Sequence, residues 1–211
     1  ILTPVSSSTF TSSRSSSRGL HMKNNTYEND VRILGGKFKG KLLPVLDVEG
    51  LRPTPSRVRE TIFSWIKDSL GNAKVLDLFA GSGALGLEAY SRGAKDVTLV
   101  ELDKDNSSNL KVIAKSMSYD EIHVINDDAL HFLDNVSSTF NIVFIDPPYK
   151  LDIYEKVLEK LLDKNLIDDD SLIYVEMRNG SNKIVPGYEI IREENAGQSK
   201  YSLWTKSKLL F

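Results

Sequence analysis

The sequence predicts an α/β protein: a sheet of seven mostly parallel strands covered by helices, with a short β-hairpin in front. Three observations point there. From Lys74 to Glu176, strand-length apolar runs alternate with segments of helical periodicity, the pattern of parallel strands joined by crossover helices. Tyr188–Arg192 and Lys200–Lys206 stand too close for such a helix, so the sheet ends antiparallel. Ahead of both, Val31–Leu34 and Lys37–Leu42 flank Gly35-Gly36, a glycine turn between two alternating segments.

Composition sets the bounds. The chain has 211 residues, 40% hydrophobic and 27% charged, enough for one domain with an appendage. No apolar run approaches the roughly 18 residues of a membrane span. Cysteine is absent, which excludes disulfide scaffolds, thiolate zinc sites and cysteine nucleophiles. Three histidines without cysteine argue against a dedicated metal centre. The net charge of −2 argues against a nucleic-acid partner only as an average. Residues 31–60 carry seven basic side chains against three acidic ones, residues 1–30 carry +1, and the remaining 151 therefore carry −7. A basic head precedes an acidic body.

Taken in order, residues 1–26 are not fold material. Eight of the first twenty are serine, none of those twenty is acidic, and the apolar residues follow no period. Two origins stand open: an expression leader ending at His21-Met22, or the remains of a Ser/Arg-rich organellar transit peptide. Residues 27–53 form the basic β extension, with Lys37, Lys39 and Lys41 alternating along its second strand. Leu51-Arg52-Pro53-Thr54-Pro55 is a stiff connector, after which Thr54 can cap a helix with Pro55 in its first position. Val58, Ile62, Trp65, Ile66 and Leu70 give that helix its apolar face. In the main domain, 54–211, strands are expected at Lys74–Phe79, Asp96–Glu101, Ile122–Asn126, Phe140–Ile145 and Ser171–Glu176. Helices are expected near Leu85–Ser91, Lys104–Ser116, Ala129–Asp134 and Ile153–Leu162.

The chemistry concentrates at the C-terminal ends of those strands. Val75–Gly86 contains Gly81-Ser82-Gly83-Ala84-Leu85-Gly86, a G-x-G-x-x-G turn leading into a helix. Glycine lets the backbone pass close beneath a ligand, and the helix start offers free N–H groups. Glu101 ends the next strand, where an acid accepts from ribose hydroxyls. The turn alone does not separate a nicotinamide cofactor from S-adenosylmethionine. Asp77 tips the balance, because a carboxylate there suits the ammonium of a methionine moiety better than a pyrophosphate.

Asp146-Pro147-Pro148-Tyr149 follows a buried-type strand and decides the matter. Asp146 can accept an N–H from an exocyclic amine. Pro147 offers a rigid carbonyl as second acceptor, since the Pro-Pro unit is fixed. Tyr149 gives a flipped base a ring to stack on. Two acceptors favour the pyramidal geometry in which an aromatic amine attacks a methyl group, so catalysis is positioning and electrostatics. At the third strand end, Asp128 and Ala129 can meet an adenine amino group and ring nitrogen, while Asp128 serves equally well as a helix cap. His123 and His131 read as structural. Asp168–Asp170 and Glu193-Glu194 read as solvated acids.

These residues resemble a known family, the RsmD-type 16S rRNA (guanine-N2)-methyltransferases. The likeness runs from about Arg32 to Trp204. It lies in Arg32–Gly40, Leu51–Pro55 with Arg57–Thr61, Leu76–Ala89, Asp146–Tyr149 and Gly197-Gln198. Asp-Pro-Pro-Tyr alone is shared with amino-methylating DNA enzymes; the basic N-terminal string is more specific. The resemblance implies a class I methyltransferase (Rossmann-like) sheet whose last strand is antiparallel, with S-adenosylmethionine as cofactor. It implies that Asp146, Pro147, Pro148 and Tyr149 hold the guanine. Asp77, Phe79, Gly81, Gly83, Glu101, Asp128 and Ala129 would hold the cofactor, Asp128 being chosen over Asp127 because it directly precedes Ala129. Lys37, Lys39, Lys41, Arg52, Arg57 and Arg59 would contact RNA phosphates, which position a substrate without reading it.

The expected partner is 16S rRNA within an assembling small ribosomal subunit, with no membrane and no metal, and a monomer is expected. The expected location is a bacterial cytoplasm, or an organellar matrix if residues 1–26 are a transit remnant. The competing readings are a DNA adenine or cytosine amino-methyltransferase, a nicotinamide oxidoreductase and a non-catalytic RNA-binding assembly factor. The first has no recognition domain here, the second leaves Asp146–Tyr149 without a use, and the third leaves that motif idle.

Overall fold

The computed structural model describes residues 31–46 and 53–208. The leader at 1–26 and Arg52 lie outside the described residues. Nine strands and five α-helices follow in chain order among them. β1 (Val31–Arg32) and β2 (Leu42–Leu43) form a hairpin. α1 (Ser56–Trp65) and a 3-10 turn (Lys67–Ser69) lead into β3 (Lys74–Asp77), α2 (Ala84–Ser91), β4 (Asp96–Glu101) and α3 (Lys104–Met117). Then come β5 (Ile122–Asn126), α4 (Ala129–Asn135), β6 (Phe140–Ile145), α5 (Tyr154–Asp163) and β7 (Ile167–Arg178). β8 (Tyr188–Ala196) and β9 (Ser199–Lys206) close the chain.

The main sheet has seven strands in the order β5-β4-β3-β6-β7-β9-β8. β5, β4, β3, β6 and β7 run parallel, and β9 inserts antiparallel between β7 and β8. This is the architecture the sequence predicts. A two-residue turn at Gly197-Gln198 joins β8 to β9, with Ala196 opposite Ser199, so no crossover is possible. The strands are longer than expected at this edge: β7 begins at Ile167 and β8 runs to Ala196.

Both faces are apolar because side chains alternate along each strand. Val75, Val97, Leu99, Ile142, Phe144 and Tyr174 face the layer of α1, α2, α3 and the hairpin. Leu76, Val100, Val143, Ile145, Ile173 and Val175 face α4 and α5. The extension shares the first of these cores, through Val31, Ile33, Leu43 and Val45, and is not a separate packing unit.

Two local expectations are corrected. The hairpin pairs only Val31 with Leu43 and Arg32 with Leu42, so Lys37, Lys39 and Lys41 lie in its wide loop and not along a strand. That loop folds onto the C-terminal end of α2 and satisfies its backbone there. Lys37 donates its N–H to the Ser91 carbonyl at 2.8 Å, and Phe38 to the Ser91 hydroxyl at 2.9 Å. In α1, Thr54 is not the cap; Pro55 holds that position without a side-chain bond.

One buried charge cluster pins these parts together. Glu88 is fully buried on α2 and accepts the backbone N–H of Leu34 at 2.8 Å and of Gly35 at 3.3 Å. Arg59, 2% exposed, meets the same carboxylate at 3.5 Å and donates to the carbonyls of Arg32 at 2.9 Å and Thr54 at 3.1 Å. Arg92 approaches Glu88 from the next turn at 3.6 Å. Arg59 is therefore a structural residue and not the phosphate contact the sequence suggests; a guanidinium this buried cannot reach RNA.

Removing one member of a buried pair strands the other, at a cost of about 3–5 kcal/mol. Glu88→Ala is expected to lower the unfolding free energy by about that amount, read from urea denaturation. A change below ~1 kcal/mol would mean the cluster is solvated in solution.

Candidate functional site

The site lies at the C-terminal edge of the parallel strands, where β3 and β4 deliver their last residues beside the start of α2. Gly81 and Gly83 both have positive φ, 55° and 82°, which lets the chain reverse between β3 and α2. Gly86 is required for a different reason. A Cβ there would stand 2.3 Å from Leu99 Cδ2 and 3.2 Å from Asp77 Oδ2, so α2 packs directly on the strands only because none is present.

Asp77 ends β3 buried, at 1% exposure. Its Oδ2 accepts the Gly86 N–H at 3.1 Å, while Oδ1 is buried without a partner. Burial pushes its carboxyl up to about 7, Glu101 adding repulsion and the Gly86 N–H opposing it. A buried, half-bonded carboxylate next to a glycine turn is suited to receive an ammonium group. Glu101 ends β4 and uses Oε2 to accept the Gly81 N–H at 2.8 Å and Oε1 to accept that of Asp103 at 3.1 Å. Each oxygen keeps a further lone pair. Asn106, buried on α3, holds the turn from the other side by donating to the Gly81 carbonyl. Phe79 is half-buried in the same turn.

At the third strand end, Asp128 caps α4. Its Oδ1 accepts the N–H of Leu130 at 2.9 Å and of His131 at 3.1 Å, and Ala129 starts the helix, where N–H groups lack intrahelical partners. Asp127 is engaged differently, binding His131 Nδ1 at 2.8 Å. That hydrogen bond, and then the Asp127 charge, raises the His131 imidazole above the usual value. His123 is held by Asp96 at 2.9 Å on the surface. Both histidines are tethered to acids away from the glycine turn.

Asp146 follows β6 on the same face as Asp77, two residues beyond Phe144, which pairs with Asp77. Thr54 donates its hydroxyl to Asp146 Oδ2 at 3.5 Å. Burial raises the Asp146 carboxyl well above the ordinary range, with Glu176 and then Asp77 adding repulsion. Pro147 is buried; Pro148 and Tyr149 are exposed, and the Tyr149 hydroxyl bonds Ser199 on β9. A depression beside it is lined by Arg178, Asn179, Gly180, Gly197 and Gln198.

The basic residues divide. Arg57 is exposed on the first turn of α1, next to Thr54 and so at the Asp146 end. Lys37 is bonded at Ser91, about 12 Å of helix away from the glycine turn, and Lys39 and Lys41 belong to the same loop. The structure does not bring them to the site. Thr54, Asn106, Glu176 and Ser199 complete it and are missed by sequence reasoning. Only Glu176 carries a usable signal: like Glu101, it is an acid closing a strand expected from the sequence, Ser171–Glu176, although β7 itself runs on to Arg178.

Among the described residues no cluster of three or more His, Asp or Glu could hold a metal ion, and no helix is long and apolar enough to cross a membrane.

Asp77 makes stability depend on pH. The folded protein binds its proton more tightly than the unfolded chain, so its ionisation costs stability as pH rises from about 4 to about 7. Unfolding free energies of wild type and Asp77→Asn are expected to diverge across that window, wild type losing up to about 4 kcal/mol relative to the variant at 1.36 kcal/mol per pH unit. Parallel curves would show that Asp77 does not titrate there.

Comparison with known proteins agrees with this geometry. The family model described as Conserved hypothetical protein 95 matches residues 31–205. Ribosomal RNA small subunit methyltransferase D of Escherichia coli K12 is 40% identical over 185 residues, 87% of this chain and 93% of its own length. Its namesake from Haemophilus influenzae is 39% identical over 182 residues, 84% of this chain and 94% of its own length. The solved structure of Escherichia coli yhhF superposes with a TM-score of 0.77 at 39% identity, covering 84% of this chain and 98% of that one. Thermus thermophilus TrmN, at 19% identity with a TM-score of 0.61, covers 71% of this chain and 48% of its own, and shares the fold. A glycine turn between acidic strand ends, an Asp-Pro-Pro-Tyr loop on the neighbouring strand and relatives aligned over nearly their whole length lead to one conclusion: the chain belongs to the Conserved hypothetical protein 95 family, a methyltransferase family.

Proposed function

We propose that this chain transfers a methyl group from S-adenosylmethionine to the exocyclic N2 amine of a guanine in 16S ribosomal RNA, in the assembling small subunit. The observation that carries the reading is that Asp146, which opens Asp146–Tyr149, lies on the same face of the sheet as Asp77, whose Oδ1 is buried without a partner. The names of the curated relatives support the RNA substrate.

In this reading Asp77 takes the cofactor's ammonium, and Glu101 accepts from its ribose hydroxyls. The backbone of Phe79, Gly81 and Gly83 passes beneath it, and Asp128 with the Ala129 N–H meets its adenine. When bound, S-adenosylmethionine supplies a methyl group activated by a sulfonium. The remaining work belongs to the protein. Asp146 and the Pro147 carbonyl accept the two amine hydrogens, which aims the nitrogen lone pair away from the ring plane. Tyr149 stacks on the flipped base. Asp146, whose affinity for protons is raised by burial, takes the proton the amine gives up.

Arg57 would contact a phosphate next to the target. Lys37, Lys39 and Lys41 would reach RNA farther along, since the subunit is far larger than this chain.

Labelled methyl is expected in 30S particles or 16S RNA and not in duplex DNA; labelling of DNA alone would overturn the RNA reading. Asp146→Ala should lower transfer by at least about 100-fold, as loss of a transition-state acceptor does, while leaving S-adenosylmethionine affinity largely intact. A matching loss of affinity would place Asp146 in the cofactor site instead. Charge reversal at Arg57, and at Lys37 with Lys39, should each flatten the salt dependence of RNA binding, by about one unit of log–log slope per contact. An unchanged slope would make those side chains ordinary solvated surface.

A further inference from the structure

Glu176 lies on β7, one residue beyond its last pairing with β6, beside Asp146. The parallel register pairs Ile145 with Val175, so the next residues of the two strands, Asp146 and Glu176, project to the same face. Burial raises the Asp146 carboxyl, and Glu176 is the neighbouring charge that adds most to the rise. Two ionised carboxylates side by side repel, a cost that N–H donors from a bound base would relieve.

Both partners are fixed from outside. The Tyr174 hydroxyl donates to Glu176 Oε2 at 3.1 Å, and the Tyr154 hydroxyl to the Glu176 backbone carbonyl at 2.8 Å. Thr54 holds Asp146. The result is two rigid acceptors, side by side, at the proposed methyl-accepting end of the site. Guanine offers a matching edge, with the ring N1–H adjacent to the N2 amine. Adenine N1 and cytosine N3 are acceptors and would face a carboxylate lone pair against lone pair.

We propose that Glu176 is a base-reading residue, accepting the N1–H of the target guanine while Asp146 accepts from its N2 amine. The assignment rests on the guanine-methyltransferase reading and adds the means by which guanine is chosen. The other groups facing the pair are Asp77 from β3, Tyr149 from the loop after β6, Tyr154 from α5 and Tyr174 from β7. Burial raises all three phenols, so they remain protonated donors at neutral pH.

The test compares transfer to small-subunit RNA carrying guanine or 2-aminopurine at the methylated position. 2-Aminopurine keeps the amine but has a bare N1. Wild type should lose roughly 10- to 100-fold in kcat/KM on 2-aminopurine, the range expected for one lost base contact. Glu176→Gln still accepts the Tyr174 hydroxyl, and its amide can donate to a bare N1. It should therefore lose on guanine, gain on 2-aminopurine, and nearly close the gap. A purely structural role would lower both substrates by one factor, and an unchanged ratio would overturn the assignment. Tyr174→Phe, which frees Glu176 without removing it, should also narrow the preference; if Glu176→Gln does not fold, an unchanged preference in Tyr174→Phe overturns the assignment by itself. A wild type that labels no guanine RNA at all would instead sink the methyltransferase reading.

Discussion

The buried pair of Glu88 and Arg59 holds the functional edge of this protein in place. A carboxylate removed from water must be met by donors, and Glu88 meets them from the hairpin loop, from α1 and from the turn after α2. Arg59 then passes the constraint on by binding the Thr54 carbonyl, and Thr54 carries the hydroxyl that reaches Asp146. One charge cluster thus ties the N-terminal extension, the glycine-turn helix and the Asp-Pro-Pro-Tyr loop to a single geometry. The extension belongs to the site's support as much as to any surface it offers to RNA.

That support is needed because the site itself is electrostatically unfavourable. Asp77, Glu101, Asp146 and Glu176 gather at neighbouring strand ends, and burial raises the first and third toward their neutral forms. An α/β sheet puts ligand sites at this edge, where loops leave the strands and helix starts offer N–H groups. Acids collected there await positive charge and N–H donors, which a sulfonium cofactor and an aromatic amine would bring. The folded chain bears the repulsion, and its hydrophobic layers on both faces of the sheet hold the strands in register against it.

Much of this is legible in the chain. Period-two and period-3.6 patterns give the first four parallel strands and their helices to within two residues, and place β7 while missing its first four residues, because each element must show one apolar face to a shared core. The glycine turn, Glu101 and Asp146–Tyr149 are legible because local backbone geometry dictates their residue types. The failures are equally physical. Gly35-Gly36 looks like a tight turn, yet the loop opens because the backbone around it finds better partners on Glu88 and Ser91. Thr54 looks like a cap, but its hydroxyl is drawn to Asp146, a residue 92 positions away.

Charge shows the same division. The sequence by itself determined the fold class, the positions of the glycine turn and of the Asp-Pro-Pro-Tyr loop, and the surplus of basic residues near the N-terminus, since these depend on local periodicity and composition. Only the tertiary structure decided what each charge does: Arg59 is sealed against Glu88, Arg57 is left beside the site, and the lysines of the loop lie at the far end of α2. It alone also set Glu176 against Asp146, through the register of β6 and β7. A side chain's environment comes from elements distant in sequence, and burial and register, which fix whether a charge is a strut or a contact, exist only once those elements have packed.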